Sequence, residues 1–330
     1  MITSLITGGA GFIGSHVAAA CLQSGHRVIV IDDLSGGDEY NVPDNTVFVK
    51  GSINDFRLLE EIFLKNDIDY VYHLAAYAAE NLSHFIRRFN YQNNLSGSVN
   101  LITLALRYKI KCFVFTSSIA VYGHSQSPLK EEITPCPGDP YGIAKYAVEL
   151  DLAAAARMFG LNHIIFRPHN VYGENQNIGD KYRNVIGIFM NQIMNNEPIT
   201  IFGDGEQTRA FTYIRDISFL IANSVDCKKA YNEIFNIGAD VPYTVNFIAD
   251  LVSKEFGVTP SIVYEKARNE VLHAFSDHSK LRKYFPDFKT TRIEQGIKNM
   301  SDWAKKAGPK FTKTFADIEI KENLPEVWLK

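Results

Sequence analysis

The chain has 330 residues, 46% hydrophobic and 22% charged, which supports a sizeable core and excludes a disordered or fibrous polymer. Its 34 basic and 37 acidic side chains leave a formal charge of -3, so no global positive field exists to attract nucleic acid or an anionic membrane. Cys21, Cys112, Cys136 and Cys227 are widely spaced and form no C-x-x-C pair, which argues against a zinc or redox motif and fits a reducing, cytoplasmic compartment.

The apolar N-terminus lacks a basic leader and is interrupted by Gly8, Gly9, Gly11 and Gly14, so it reads as folded structure rather than a signal peptide. Nowhere is there an apolar run of about 18 residues, and no spanning helix is expected. Short β-branched runs at 2–6, 28–31, 47–49, 70–74, 113–116 and 163–166 read as strands. Helical stretches at 15–23, 56–65, 93–108 and 143–159 separate them. Such alternation predicts an α/β fold of the Rossmann type, a doubly wound parallel sheet with ligand sites at its strand C-termini. After residue 168 a polar, Asn- and Gly-rich stretch replaces the alternation and reads as a substrate loop. The expected organisation is a cofactor domain over 1–168, to which 209–240 returns, and a smaller substrate-binding domain from 169–208 and 241–330.

Directly after the first strand comes Thr7-Gly8-Gly9-Ala10-Gly11-Phe12-Ile13-Gly14, and 21 positions beyond Gly11 an acid, Asp32, closes the second strand. Strand, glycine turn, helix and acid together form a dinucleotide fingerprint. The glycines permit a tight turn and close backbone approach, the helix start offers N–H groups to a pyrophosphate, and the carboxylate accepts ribose hydroxyls. No Arg or Lys occurs over 33–49, and the Asp32 charge repels a 2′-phosphate, so NAD is expected rather than NADP. Small residues in Gly51-Ser52-Ile53 and His73-Leu74-Ala75-Ala76 would let a cofactor lie against the backbone; His73 itself reads as a core histidine.

Tyr141 and Lys145 stand four residues apart at a helix start, on one face. A phenol with an ordinary pKa near 10 is too weakly acidic to serve as a base at neutral pH, but Lys145 and a positive nicotinamide would stabilise its phenolate. Thr116-Ser117-Ser118, at a strand end, adds hydroxyls, and Ser118 is placed to bond a substrate hydroxyl and relay its proton.

With these motifs in hand, the chain resembles the extended short-chain dehydrogenase/reductase superfamily and, within it, nucleotide-sugar 4-epimerases of the UDP-galactose/UDP-glucose type. The resemblance rests on Thr7 to Gly14, Asp32, His73 to Ala76, Asn93, S-S-I-A-V-Y-G at 117–123, Pro140 to Lys145, R-P-H-N-V-Y-G at 167–173, and 201–216. It implies Ser118, Tyr141 and Lys145 as the catalytic trio. It implies NAD contacts from Gly8, Gly11, Phe12, Ile13, Gly14, Asp32, Ser52, Ile53, Leu74, Ala75, Ala76, Asn93, Ser117, Tyr141, Lys145 and His169. A UDP-sugar would meet Ser118, Tyr141, Asn170, Asn184, Val185, Thr200, Phe202, Arg209, Arg268 and Ala274, with the fork of Arg209 suited to a diphosphate. A homodimer through the helices from Asn93 and Ile143 is also implied.

Departures narrow the chemistry. Ser52 stands where many members carry an aspartate, which weakens an adenine contact, and Ala267-Arg268-Asn269-Glu270 shifts the arginine of an Arg-x-Gly-Glu segment. Ile119 and Ala120 occupy positions where dehydratase relatives carry an acid pair, decarboxylating relatives a Glu, and relatives epimerising beside the keto group a Cys. What remains is removal and return of one hydride at C4 through a transient 4-keto sugar. Ala274 falls where relatives restricted to plain hexoses carry a tyrosine, so N-acetylhexosamines are expected to fit. The competing readings are a UDP-glucuronate-directed epimerase or decarboxylase, with Arg87, Arg88, Lys181 or Arg183 meeting the carboxylate, and a non-catalytic module binding NAD or nucleotide sugar.

Overall fold

The computed structural model describes residues 1–267, 271–311, 315, 317–325 and 328. The first half runs β1 (Thr3–Thr7), α1 (Phe12–Gln23), β2 (Arg27–Asp32), β3 (Val47–Lys50), α2 (Phe56–Lys65), β4 (Tyr70–His73), the short helices α3 (Glu80–Ser83) and α4 (Arg87–Tyr91), α5 (Gly97–Arg107), β5 (Cys112–Thr116), α6 (Pro140–Phe159) and β6 (His163–Pro168). There follow β7 (Val171–Tyr172), α7 (Val185–Met194), β8 (Ile199–Phe202), β9 (Thr208–Ala210), β10 (Thr212–Tyr213), α8 (Ile214–Asn223), β11 (Glu233–Ile237), β12 (Pro242–Thr244), α9 (Val245–Phe256), β13 (Ile262–Glu265), β14 (His273–Ala274), α10 (Ser279–Tyr284) and α11 (Ile293–Ala307).

Seven parallel strands form one sheet in the order β3-β2-β1-β4-β5-β6-β11. Period-two alternation sends Ile6, Val28 and Val30 to one face and Leu5, Ile29 and Ile31 to the other. The first face packs on Val17, Ala18 and Cys21 of α1 and on Ile217 and Ile221 of α8; the second on Leu59 and Phe63 of α2, Leu101 and Leu104 of α5, and Val148 and Leu152 of α6. Strand order reverses between β1 and β4, which opens a crevice at their C-terminal ends, where this fold class binds ligands.

Local sequence explains where elements begin. α1 starts at Phe12, three residues earlier than its apolar pattern suggests, because extended Gly11 serves as the N-cap. α6 starts at Pro140 rather than 143: Asp139 caps it by accepting from the Gly142 N–H at 2.9 Å, and proline suits the first helical turn. Tyr141 therefore lies in the first turn. The helix expected over 93–108 opens instead with a π-helical turn, Gln92–Ser96, before α5. That turn carries the buried Asn94, whose side chain accepts from Tyr77 N–H at 2.8 Å and donates to the Tyr77 carbonyl at 3.1 Å, pinning the loop after β4.

Of the 209–240 stretch expected to return to the sheet, Glu233–Ile237 is its edge strand beside β6, and α8 covers a face. Arg209 does not follow. It lies in β9, paired antiparallel with β12 and parallel with β14, because Arg209 registers with Tyr243 and Ala274 rather than with any central strand. β10 pairs with β7, and β8 with β13.

Candidate active site

A cleft of about 650 Å³ runs along the C-terminal ends of β1, β2, β4, β5 and β6 and is walled on its far side by residues of the second half of the chain. Its cofactor end is shaped by glycine. Gly8 has φ +72°, and a Cβ there would lie 2.7 Å from the Ala75 backbone; a Cβ on Gly14 would lie 2.0 Å from the Gly8 carbonyl oxygen. The turn therefore stays narrow enough for a ligand to approach the start of α1, whose first turn has neither an acid nor a side-chain cap. Asp32 is 9% exposed, accepts from the Leu34 N–H at 2.8 Å and the Ala10 N–H at 3.0 Å, and faces the cleft, with burial raising its carboxyl above the usual range. This donor set fits a dinucleotide with free ribose hydroxyls: Gly8, Gly11, Phe12, Ile13, Gly14, Asp32, Ile53, Leu74, Ala75, Ala76, Asn93, Ser117 and His169 all line it.

Further along, Ser118, Tyr141 and Lys145 converge from the loop after β5 and from the first two turns of α6. Lys145 is 3% exposed, donates to the Thr116 carbonyl at 2.8 Å, and lies 5.8 Å from the Tyr141 ring centre and 4.8 Å from that of Phe115. Burial lowers its ammonium to about 7 against the opposing pull of Glu149. Tyr141 is 5% exposed; burial first and the Glu80 carboxylate second push its phenol well above 10, while a hydrogen bond with Ser118 and the charge of Arg183 act the other way. A phenol in that position requires a nearby cation to ionise near neutrality.

Two buried residues not picked out from the sequence brace this trio. Glu149 accepts from Arg167 Nε at 3.0 Å and from Ser117 Oγ at 2.5 Å, and Arg167 lies 4.7 Å from the Tyr122 ring centre. Both charges are at most 3% exposed, so the pair is anchored by mutual compensation and ties α6 to the ends of β5 and β6. A signal existed in the spacing: Tyr141, Lys145 and Glu149 recur every four residues along one helix face. His73, by contrast, is a satisfied core residue, bonded to Thr7 and Ser98, with burial lowering it to about 3.

On the far side, Asn170, Asn184, Val185, Thr200, Phe202, Arg209 and Ala274 line the cleft. Asn184 caps α7, accepting from the Ile186 N–H at 3.1 Å, and Arg209 donates to the Leu272 carbonyl at 3.0 Å. Ser52 is not among the lining residues, although Gly51 and Ile53 on either side of it are, and its hydroxyl accepts from the Asn54 N–H at 3.2 Å. Arg268 lies outside the described residues. Of the four basic residues considered for a sugar carboxylate, Arg183 alone lines the cleft, its guanidinium 4.7 Å from the Tyr77 ring centre; Arg87 and Arg88 are exposed and Lys181 points toward the Trp328 carbonyl. Among the described residues there is no cluster of three metal-binding side chains and no helix long and apolar enough to cross a membrane.

Sheet order, glycine cradle and the serine-tyrosine-lysine trio define an NAD-binding α/β enzyme of the short-chain dehydrogenase/reductase class. The sequence profile of the NAD dependent epimerase/dehydratase family matches residues 4–238, and the chain belongs to that family. A UDP-glucose 4-epimerase from Thermotoga maritima, solved with UDP-glucose, is 35% identical, with 93% of this chain and 99% of that one covered and a TM-score of 0.87. A UDP-glucuronic acid 4-epimerase from Bacillus cereus, solved with UDP-glucuronic acid and NAD, is 28% identical, with 93% and 100% covered and a TM-score of 0.83. A UDP-N-acetyl-alpha-D-glucosaminuronate decarboxylase from Bacillus cytotoxicus is 30% identical over 91% of this chain and 96% of its own. NAD is the family's cofactor, and the cradle described above accommodates it.

Proposed function

We propose that this protein inverts C4 of a UDP-hexose through a transient 4-keto sugar. The observation that carries this reading is the buried trio Ser118, Tyr141 and Lys145 with Ile119 and Ala120 beside it, a segment with no acid or thiol for elimination, decarboxylation or a second epimerisation. NAD, when bound, supplies the hydride acceptor and donor. Tyr141 takes the proton of the sugar hydroxyl and returns it, Ser118 holds that hydroxyl, and Lys145 stabilises the phenolate. Arg209, Asn170, Asn184 and Phe202 grip the nucleotide and diphosphate, so that the sugar is held loosely enough to present either face.

A second reading, a uronate-directed epimerase or decarboxylase, is supported by Arg183 in the cleft wall, a cation that pairs with Asp180 through Nε at 2.9 Å and could also meet a sugar carboxylate. Incubation with a panel of UDP-sugars and no added NAD, with products resolved by chromatography and NMR, separates the readings. The expected result is interconversion of UDP-glucose and UDP-galactose without carbon dioxide release. Turnover of uronates alone would replace the first reading with the second, and no turnover of any sugar would favour a non-catalytic binding module.

The solution state proposed is a homodimer. Ile143 (41% exposed) and Leu150 (53% exposed), with Ala147 and Ala154, form a stripe along the outer face of α6 beside Val99 of α5, and a two-fold four-helix contact would bury it. A monomer in sedimentation at micromolar concentration would overturn this.

A further inference from the structure

Three segments distant in sequence meet behind one wall of the cleft. His169 follows β6 and lines the cleft, Asp240 follows β11, and His278 immediately precedes α10. Pro168 and Ile237 are register partners, so His169 and Asp240 leave adjacent strand ends. His169 Nδ1 lies 2.9 Å from the Ala210 carbonyl oxygen, its Nε2 lies 3.2 Å from His278 Nε2, and His278 Nδ1 lies 2.8 Å from Asp240 Oδ1. Both imidazoles are buried, whereas Asp240 reaches solvent and also pairs with Arg282. The fit is close: a Cβ on Gly238 would lie 2.4 Å from His169 Nε2.

Donor and acceptor roles here are constrained. A carbonyl oxygen only accepts, so His169 Nδ1 carries a hydrogen, and a neutral His169 turns a bare Nε2 toward His278. An ionised carboxylate also only accepts, so a neutral His278 would likewise present a bare Nε2, and two lone pairs would face each other at 3.2 Å. All three contacts are hydrogen bonds only if the group holds one proton more than two neutral imidazoles and a carboxylate. The hydrogen bonds from His278 and Arg282 hold the Asp240 carboxyl below its usual range, and burial with the neighbouring His278 depresses His169 to about 3. Because His169 Nε2 is bare, His278 Nε2 is the donor in the contact between the two rings. Other charges near it are Asp277 on its own segment and Lys130 beyond Asp277; Lys280 is engaged by Glu233.

We propose that His278, backed by Asp240, is a positioning residue that donates from Nε2 to His169 Nε2 and thereby fixes the His169 ring as a wall of the NAD site. This rests on the reading of the cleft as the site of NAD. It ties cofactor retention to the bond between the two rings: where that bond is lost, the wall loosens. A glutamine at 278 would donate from its amide in place of the ring.

The test uses the NAD-loaded protein labelled with nitrogen-15 in histidine, followed by NMR, with the exchange of bound NAD against isotopically labelled NAD measured in parallel. In the wild type, His278 should carry a proton on Nε2 and His169 on Nδ1 alone. His278→Ala should exchange NAD about tenfold faster, the scale of losing one strong hydrogen bond, and His278→Gln should recover most of that loss. A bare His278 Nε2, or a His278→Gln variant that exchanges NAD as fast as His278→Ala, would overturn the proposal. Neither readout requires sugar turnover, so failure of the epimerase reading would leave this result interpretable.

Discussion

Lys145→Met separates stability from chemistry at a single buried charge. The fall of the ammonium from its ordinary 10.5 to about 7 measures the cost of charging Lys145 inside the protein, roughly 5 kcal/mol at about 1.4 kcal/mol per pKa unit. Because the folded value is depressed, that cost is fully present below about pH 7 and shrinks as pH rises toward 10.5. Methionine matches the lysine stem as far as Cε and carries no charge, but it leaves the Thr116 carbonyl without the donor now 2.8 Å away, a loss of about 1–3 kcal/mol. The difference predicts a variant about 3 kcal/mol more stable than wild type at pH 6. At pH 9, where roughly 2 kcal/mol of the charging cost remains, the two proteins should be near parity. Turnover should fall by about 100-fold or more at pH 6, where the wild type still holds a cation beside the Tyr141 phenol, and by less at pH 9, where Lys145 is already largely neutral. Urea unfolding at the two pH values, with NAD content matched, measures the first effect and a coupled UDP-galactose assay the second. A variant destabilised equally at pH 6 and pH 9 would show that the buried ammonium is not the source of the cost.

Tyr141→Phe should leave the fold and NAD content intact while lowering turnover about 100-fold or more, with Ser118→Ala acting in the same direction but less strongly; undiminished epimerisation by the phenylalanine variant would refute the assigned proton transfer. Glu80→Gln removes the negative charge that, after burial, most raises the Tyr141 phenol, so the acid limb of the pH–rate profile should move to lower pH, and an unmoved limb would rule out that coupling. Asp32 should make the protein prefer NAD over NADP by calorimetry, and equal affinities would contradict its role at the ribose. Ala274→Tyr, filling the cleft beside Arg209, should selectively lose UDP-N-acetylglucosamine and its galacto epimer, at a cost of roughly 1–3 kcal/mol for overpacking; equal slowing of the plain hexoses would show that the acetamido group does not sit there.

What the sequence alone determined was local. The glycine turn, Asp32 and the Tyr141–Lys145 pair were legible because each depends on backbone conformation or helical spacing within a few residues, and the β-branched runs marked the first six central strands because their pattern reflects burial on both sheet faces. Boundaries shifted where a neighbouring residue competed: Gly11 and Asp139 capped helices earlier than the apolar pattern indicated, and Asn94, drawn to the Tyr77 backbone, sits in a widened turn where a continuous α-helix was expected. The Ser52 hydroxyl takes a local backbone partner, the Asn54 N–H. Only the tertiary structure decided that Arg209 belongs to a small sheet beside Ala274, that Glu149 and Arg167 neutralise each other beneath Ser117, and that His169 meets His278 across 109 residues of chain. The physical reason is common to all three. A buried charge or unsatisfied nitrogen is stable only with a complementary partner, and which partner arrives is set by the convergence of strand ends and loops, not by any periodicity along the sequence.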